Sequence, residues 1–400
     1  MSELKNREEI KVFREYLQIP TVHPDIDYEP AIIFLKRLAA DIGLPVQVCY
    51  PKNPKKPILL MAWPGTDPNL ESIFLNSHMD VVPVDEAAWD HPPFAAHMDD
   101  EGNIYARGTQ DVKCLGIQNY FAIKELIKEG FKPLRTVYLS FSCEEEKGGE
   151  EGMMDFVRTE EFKRLKVGFA MDEGGCSPEE RFPVFFAERS TWYVTFKCNG
   201  TPGHGSLLHK NTAGEKLNFI ISKMMNFRAH EIERLERHPE MLVSNVTTVN
   251  LTMVSGGLQA NVVPSQLSVT FDMRIAIDVD HQKLEGQLRK WCEEAGEGVE
   301  LVFGEKREYV APTKCDEDNR YWCAFKAAVD EMKLRVVPVI APGGTDSRYI
   351  RALGIPALGF TPINHTAIRL HDHNEYLGAE TFLRGIQIMK NVIKKVTSVE

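Results

Sequence analysis

The sequence predicts an α/β protein, a mixed and mostly parallel sheet flanked by helices, into which a smaller α+β domain of βαββαβ order is inserted. Three observations carry this expectation. Short apolar runs rich in β-branched and aromatic residues alternate with helix-length segments over 1–187 and again over 309–400, and several of these runs end in His, Asp or Glu. Over 188–308 the texture changes to strands and helices in the order βαββαβ. A chain of 400 residues, 43% of them hydrophobic, is long enough for two cores.

The N-terminal stretch MSELKNREEIKVF is charged and amphipathic, without the continuous apolar core of a secretory signal. Ile73-Phe74-Leu75 reads as a core strand. His78 and Asp80 follow it two apart, on one side of an extended chain, so the Asp80 carboxylate is expected to take one ring N–H of His78 while the other nitrogen is left for a metal. A His beside an Asp in a loop is by itself an ordinary hydrogen-bonded pair. Next, Asp111 precedes a helix expected from Lys113 to Glu129, closed by Gly130. A second strand, 135–142, runs into Glu144, Glu145 and Glu146; alone, that run reads as a solvated acidic turn. A third, 167–171, ends in Asp172, Glu173 and two glycines.

Strands alternating with helices predict parallel pairing, and such sheets collect ligands at the carboxyl ends of their strands. His78, Asp80, Asp111, the three glutamates and Glu173 are therefore expected on one edge. So many carboxylates share an edge only if protons or cations neutralise them. A later contribution is expected where the strand-like run 355–360 leads to His371-Asp372-His373, and the residues alone leave both histidines open as ligands.

From about Arg189 the predicted elements are a strand at 190–198, a helix from Ala213 to His238, strands at 246–254 and 266–275, a helix from His281 to Ala295 and a strand at 299–304. This order makes a four-stranded antiparallel sheet with two helices on one face. The α/β texture returns near Pro312, with a helix from Arg320 to Lys333 and then PVIAPGGTDSRYIRALGIP. The domain organisation is thus a catalytic domain in two pieces, 1–187 and 309–400, around an insert at 188–308. An exposed strand in so small an insert offers unpaired N–H and C=O groups to a copy of itself, which predicts a homodimer.

Composition narrows the function classes. Net charge is −11, from 47 basic and 58 acidic residues with no basic stripe, so nucleic acid is not an expected partner. The longest apolar stretches are only a few residues, so no membrane association is expected. Eight scattered cysteines without a CxxC pair predict reduced thiols and a cytoplasmic setting. GxSxG, HExxH and GxxxxGK(S/T) motifs are absent.

SHMDVVP, YARGTQDVKC, CEEEKGG, MDEGG, TPGHGS, GGTDSRYIR and LHDHNE, in this order and spacing, resemble the aminoacylase-1 group of dinuclear zinc amidohydrolases, a family that also contains dipeptidases, carboxypeptidases and deacylases. The resemblance implies two zinc ions per subunit. It gives His78 as ligand of one zinc, Asp80 as the carboxylate orienting it, Asp111 as the bridge followed by a cis peptide, Glu145 as general base and Glu146 as a ligand of one zinc. Glu173 and His371 are implied as ligands of the second zinc. His204 is implied to stabilise the oxyanion from the partner subunit, Asn261 and Arg274 to contact substrate, and Thr345, Asp346 and Arg348 to rim the pocket. Glu144 departs from the pattern, standing where other members carry Asp.

The chemistry implied is hydrolysis of the amide of an N-acyl-L-amino acid, a small-molecule substrate, to a free L-amino acid and a carboxylate. The alternatives are a dipeptidase or carboxypeptidase with the same chemistry, or a catalytically silent dimeric binding protein. Physically, two divalent ions about 3.5–4 Å apart need a shared carboxylate, and a water between them becomes acidic. A neighbouring carboxylate can then take its proton and return it to the leaving nitrogen.

Overall fold

The computed structural model describes residues 2–400. The chain divides into two compact units, one comprising the chain up to Phe186 with Pro312–Val339 and Gly344–Glu400, the other Ala187–Ala311 with Ile340–Gly343.

The first unit is built on an eight-stranded sheet ordered Val46–Cys49, Ile58–Trp63, Val137–Ser142, Ser72–His78, Val167–Asp172, Ala357–Gly359, Phe182–Glu188, Val336–Ala341. Its middle is parallel: Ser72–His78 pairs in parallel with Val137–Ser142 and with Val167–Asp172, which pairs in parallel with Ala357–Gly359. Flanking strands such as Ile58–Trp63 and Phe182–Glu188 add antiparallel pairs. Every residue of Ser72–His78 is buried, as expected of a parallel strand covered on both faces. This strand runs past the apolar triplet read from the sequence, and the Asn76 side-chain amide N–H groups find partners inside, donating to Asp172 Oδ1 at 3.0 Å and Asp346 Oδ2 at 3.3 Å.

Helix Lys113–Lys128 covers the parallel centre, and the C-terminal helix Ala379–Val396 packs against it. Gly116 sets how closely the first of these sits. A Cβ there would fall 2.6 Å from the Phe141 ring and 2.7 Å from Ser77 Oγ, so any side chain would lift the helix and move Asp111 just ahead of it. Phe13 stacks on Phe382 at 4.2 Å, tying the N-terminal helix Glu8–Leu17 to the same layer. No helix among the described residues is long and apolar enough to cross a membrane.

The second unit is a four-stranded antiparallel sheet ordered Thr248–Gly256, Gln266–Ile275, Ser190–Asn199, Val299–Lys306, with helices Ala213–Arg237 and His281–Ala295. Helix starts follow the capping chemistry: Thr212 and Glu215 form a capping box, and Asp280 accepts from the N–H groups of Gln282 and Lys283. Trp192, Val194 and Phe196 face Val269, Phe271 and Met273 in a core of its own. A short additional pair, Gly203–His204 with Val262–Val263, lies outside the βαββαβ order. Thr248–Gly256 is a sheet edge, and its Leu251, Met253 and Val254 are exposed.

Candidate active site

The parallel strands deliver their C-terminal residues to one edge of the first unit. His78 ends its strand, Glu173 directly follows Val167–Asp172, and Glu145 and Glu146 lie in a 3-10 turn three residues beyond Val137–Ser142. Asp111 stands two residues ahead of helix Lys113–Lys128, and the Asp111–Val112 peptide is cis. His371 comes from the loop before Tyr376–Gly378, a strand paired with Asn103–Tyr105 on the approach to Asp111.

These groups converge on Asp111. Its Oδ1 lies 3.1 Å from His78 Nε2 and its Oδ2 3.2 Å from His371 Nε2. His78 Nε2 is also 3.3 Å from Glu173 Oε2, and His371 Nε2 is 3.0 Å from Glu146 Oε2. Glu173 therefore pairs with His78, and Glu146 with His371, whereas the sequence reading put Glu173 and His371 on one ion. The reason is topological: Glu173 follows the strand directly beside Ser72–His78, while Glu146 is turned away from its own strand's end.

Adjacent glutamates face different partners because the chain turns between them. Glu144 adopts left-handed φ of 64°, and Gly148 and Gly149 follow at 90° and 69°. Lys56 Nζ and Tyr28 Oη both donate to Glu144 Oε1, at 2.6 and 3.0 Å. On the other side Arg348 Nη2 donates to the Gly148 carbonyl at 2.8 Å, joined by the Tyr349 hydroxyl.

Asp80 corrects a sequence expectation. His78 Nδ1 donates to the backbone carbonyl of Asp80 at 2.8 Å, and the Asp80 carboxylate stands off at 3.7 Å. The strand stops at His78, so the two side chains no longer share a face and the carbonyl reaches the ring instead. The Asp80 carboxylate, fully buried, accepts the N–H groups of Glu145 and Glu146 at 3.3 and 3.1 Å and His23 Nε2 at 2.9 Å. It orients the turn carrying Glu145 and Glu146, and the imidazole of His78 is oriented by main chain.

The expected pocket rim is also relocated. Asp346 is buried, accepting from Ser142 Oγ at 2.7 Å and from Asn76, and burial followed by the Asp172 charge pushes its carboxyl up to about 7. Thr345 is buried too, and Arg348 braces the Gly148 turn. The glycine-rich segment enters the short helix Ser347–Arg351, which packs behind the turn of the glutamates and carries these residues inward. His373 stays outside the cluster: its N–H donates to Asp372 Oδ1, and its carbonyl accepts from Arg369.

His204, Asn261 and Arg274 belong to the second unit. His204 is exposed on the short pair with Val262, its Nδ1 2.7 Å from Ser206 Oγ, and the Gly205 N–H donates to the Asn261 carbonyl at 2.8 Å. Arg274 Nε and Nη2 grip Asp272 at 2.8 and 3.1 Å, while Nη1 donates to Thr191 Oγ1 at 2.9 Å.

Sequence reading missed Glu375. Its carboxylate, fully buried, accepts from Arg107 Nη1 at 2.8 Å and from the N–H groups of Gly108, Gln110 and Asp111. It ties the His371 loop to the backbone of Asp111. The only sequence signal is a Glu four residues after His371, inside the LHDHNE motif.

The electrostatics call for positive charge. Burial, then the Glu173 charge, pushes Glu145 well above the usual carboxylate range; burial and Asp111 raise Glu146, and burial raises Glu173. Burial alone would raise Asp111, yet its hydrogen bonds to His371 and His78 hold it below its usual range. Burial opposes charge on His78, but Glu173 and Asp111 overcome that and raise it. Hydrogen bonds to Asp111 and Glu146 push His371 up to about 10.

Two imidazoles and three carboxylates are thus pushed towards holding protons, around an Asp111 held ionised, and a cation would replace those protons. The donor set fits one. Ligand atoms of His78, Asp111 and Glu146, and again of His78, Glu145 and Glu173, lie within 4.8 Å of one another. Glu146 Oε1 is buried with no hydrogen-bond partner within the protein. Imidazole with carboxylate is the ligand mixture of a divalent first-row metal.

A parallel-centred sheet brings such donors to the ends of its strands, as a divalent-metal site needs. The chain belongs to peptidase family M20/M25/M40, which matches residues 74–395. It is 47% identical to "Aminoacylase-1" of Mus musculus and 45% identical to that of Homo sapiens, in both cases over 98% of this chain and 95% of the relative. It is 40% identical to "Aminoacylase-1" of Dictyostelium discoideum over the full length of both. Among solved structures, the fold is similar to an M20 family metallo-carboxypeptidase of Sulfolobus solfataricus, at TM-score 0.73 and 19% identity over 98% of this chain and 99% of that one. A dinuclear metal-binding M20 peptidase of Bacillus subtilis superimposes at TM-score 0.72 and 16% identity over all of both chains.

Proposed function

We propose that the protein hydrolyses the amide bond of N-acyl-L-amino acids, releasing a free L-amino acid and a carboxylate. One observation carries the substrate class: 45–47% identity over 98% of the chain to six mammalian proteins named aminoacylase-1, 1A or 1B. The site geometry supports the chemistry. His78, Glu173 and Asp111 would hold one zinc ion, and His371, Glu146 and Asp111 a second, two per subunit. Bound there, zinc supplies Lewis acidity, which polarises the scissile carbonyl and acidifies water.

Every other part falls to side chains of the chain itself. Glu145 takes a proton from the attacking water and returns it to the leaving nitrogen. Asp80 fixes the turn from which Glu145 reaches inward. His204 donates to the oxyanion from the partner subunit, a role its glycine-flanked loop suits. Arg274 receives the substrate's α-carboxylate, with Asp272 and Thr191 holding its planar fork in one orientation until substrate competes for it. Asn261, beside the His204 pair, makes a further substrate contact. Thr345, Asp346 and Arg348 act by bracing the turn of the glutamates. The exposed edge Thr248–Gly256 supports a homodimer, and eight free cysteines support a cytoplasmic setting.

Metal removal tests this reading. Protein stripped by chelator and dialysed should lose N-acetyl-L-methionine turnover by about 10³-fold or more, because water unassisted by metal is a far weaker acid. Two equivalents of zinc should restore it, with elemental analysis reporting two ions per chain. Turnover persisting in metal-free protein would overturn the reading.

A further inference from the structure

We propose that His23 is a positioning residue of the active site, acting through Asp80 on the turn that carries Glu145 and Glu146. The proposal rests on the hydrolase reading above for its kinetic consequence, and on geometry alone for the positioning itself.

Asp80 is the anchor of that turn, and among the described residues His23 is the one side chain that donates to its carboxylate, from Nε2 at 2.9 Å to Oδ2. The same Oδ2 accepts the Glu146 N–H at 3.1 Å, and Oδ1 accepts the Glu145 N–H at 3.3 Å. A carboxylate has no hydrogen to give, so Nε2 must carry the proton. His23 is 5% exposed and its Nδ1, also buried, makes no hydrogen bond among the described residues. Buried polar groups are normally satisfied, so an imidazole with one partner is placed for that partner.

The backbone holds the ring in position. Val81 N–H donates to the Thr21 carbonyl at 2.9 Å, His23 N–H donates to the Val81 carbonyl at 3.1 Å, and Thr21 Oγ1 donates to the Met79 carbonyl at 2.5 Å. The segment 21–23 is thereby laced to 79–81, the three residues directly after His78. Without the imidazole donor, Asp80 keeps only its two longer contacts and is free to swing. The turn beyond it then loses its fixed orientation. A shift of about 1 Å in a catalytic group is enough to cost about a hundredfold in rate.

Hydrogen bonding and packing make opposite forecasts for two substitutions. His23→Gln keeps an N–H donor at nearly the same reach, whereas His23→Leu keeps apolar bulk and loses the donor. With N-acetyl-L-methionine and zinc-loaded protein, His23→Leu should lower kcat about 10- to 100-fold with KM within about threefold and two metals retained, and His23→Gln should stay within about threefold of the parent. Hydrogen exchange read by mass spectrometry over 143–147 should be faster in His23→Leu and parent-like in His23→Gln, in metal-loaded and metal-free protein alike. If His23 serves only as packing, Leu will be the milder change in both readouts; that order, or two variants that behave alike, would overturn the proposal. A parent with no turnover of N-acyl amino acids would overturn the function and leave the exchange comparison to decide the role of His23.

Discussion

Glu145→Gln is expected to abolish turnover and to leave two metal ions bound. The amide has the shape of the carboxylate and keeps the Glu145 N–H on Asp80, so the turn is unchanged. It cannot accept a proton from water, and losing a general base removes about 10²–10⁴-fold. The drop in kcat for N-acetyl-L-methionine should therefore be about 10³-fold or more, with two ions per chain by elemental analysis. Activity within about tenfold of the parent would make Glu145 a bystander, and a lost ion would make it a ligand. Its place in a ligand-like group with His78 and Glu173 makes that second outcome a real test.

His371→Ala is expected to remove one metal ion, and turnover with it. The imidazole lies 3.0 Å from Glu146 Oε2 and 3.2 Å from Asp111 Oδ2, and truncating it removes a nitrogen donor from beside these two carboxylates. A lost ligand weakens the ion far more than the 10–100-fold typical of a lost supporting group. At micromolar zinc His371→Ala should retain about one ion per chain and lose turnover by about 10³-fold. His373→Ala should bind two and keep parental kinetics, since His373 touches the loop only through its backbone. The reverse pattern would exchange the two histidines.

That choice of histidine marks how far the residues could be read directly. The convergence of His78, Glu145, Glu146 and Glu173 was legible because each follows a short apolar run, and parallel strands place such followers on one edge; Asp111 follows none and was placed by the helix it precedes. Between His371 and His373 the residues decided nothing, and resemblance to a family motif chose. What a local reading could not supply depends on where strands stop and on partners far along the chain. Asp80 was given to His78 on the assumption that extended chain continues; it stops at His78, and the carboxylate turns to His23, 57 positions earlier. Asp346 was expected at a rim by family resemblance alone, and the glycines before it mark a turn without saying which way the turn faces. It faces in, against Asn76 and Ser142 from two different strands. Glu375 carries no local signature of burial, and only the pairing of Tyr376–Gly378 with Asn103–Tyr105 brings it beneath Asp111. In each case the missing information was a long-range contact that fixes a polar side chain inside.

The central claim concerns which amide bond is cut. The most direct measurement is kcat/KM of zinc-loaded protein over a panel of N-acetyl-L-amino acids, each set against the dipeptide of the same C-terminal residue. The two substrate types share the α-carboxylate, the scissile amide and the side chain, and differ in whether the acyl group carries a protonated amine. The account predicts that the N-acetyl compounds are preferred across the panel. Preference for the dipeptides across the panel would contradict it and make the protein a dipeptidase built on the same site.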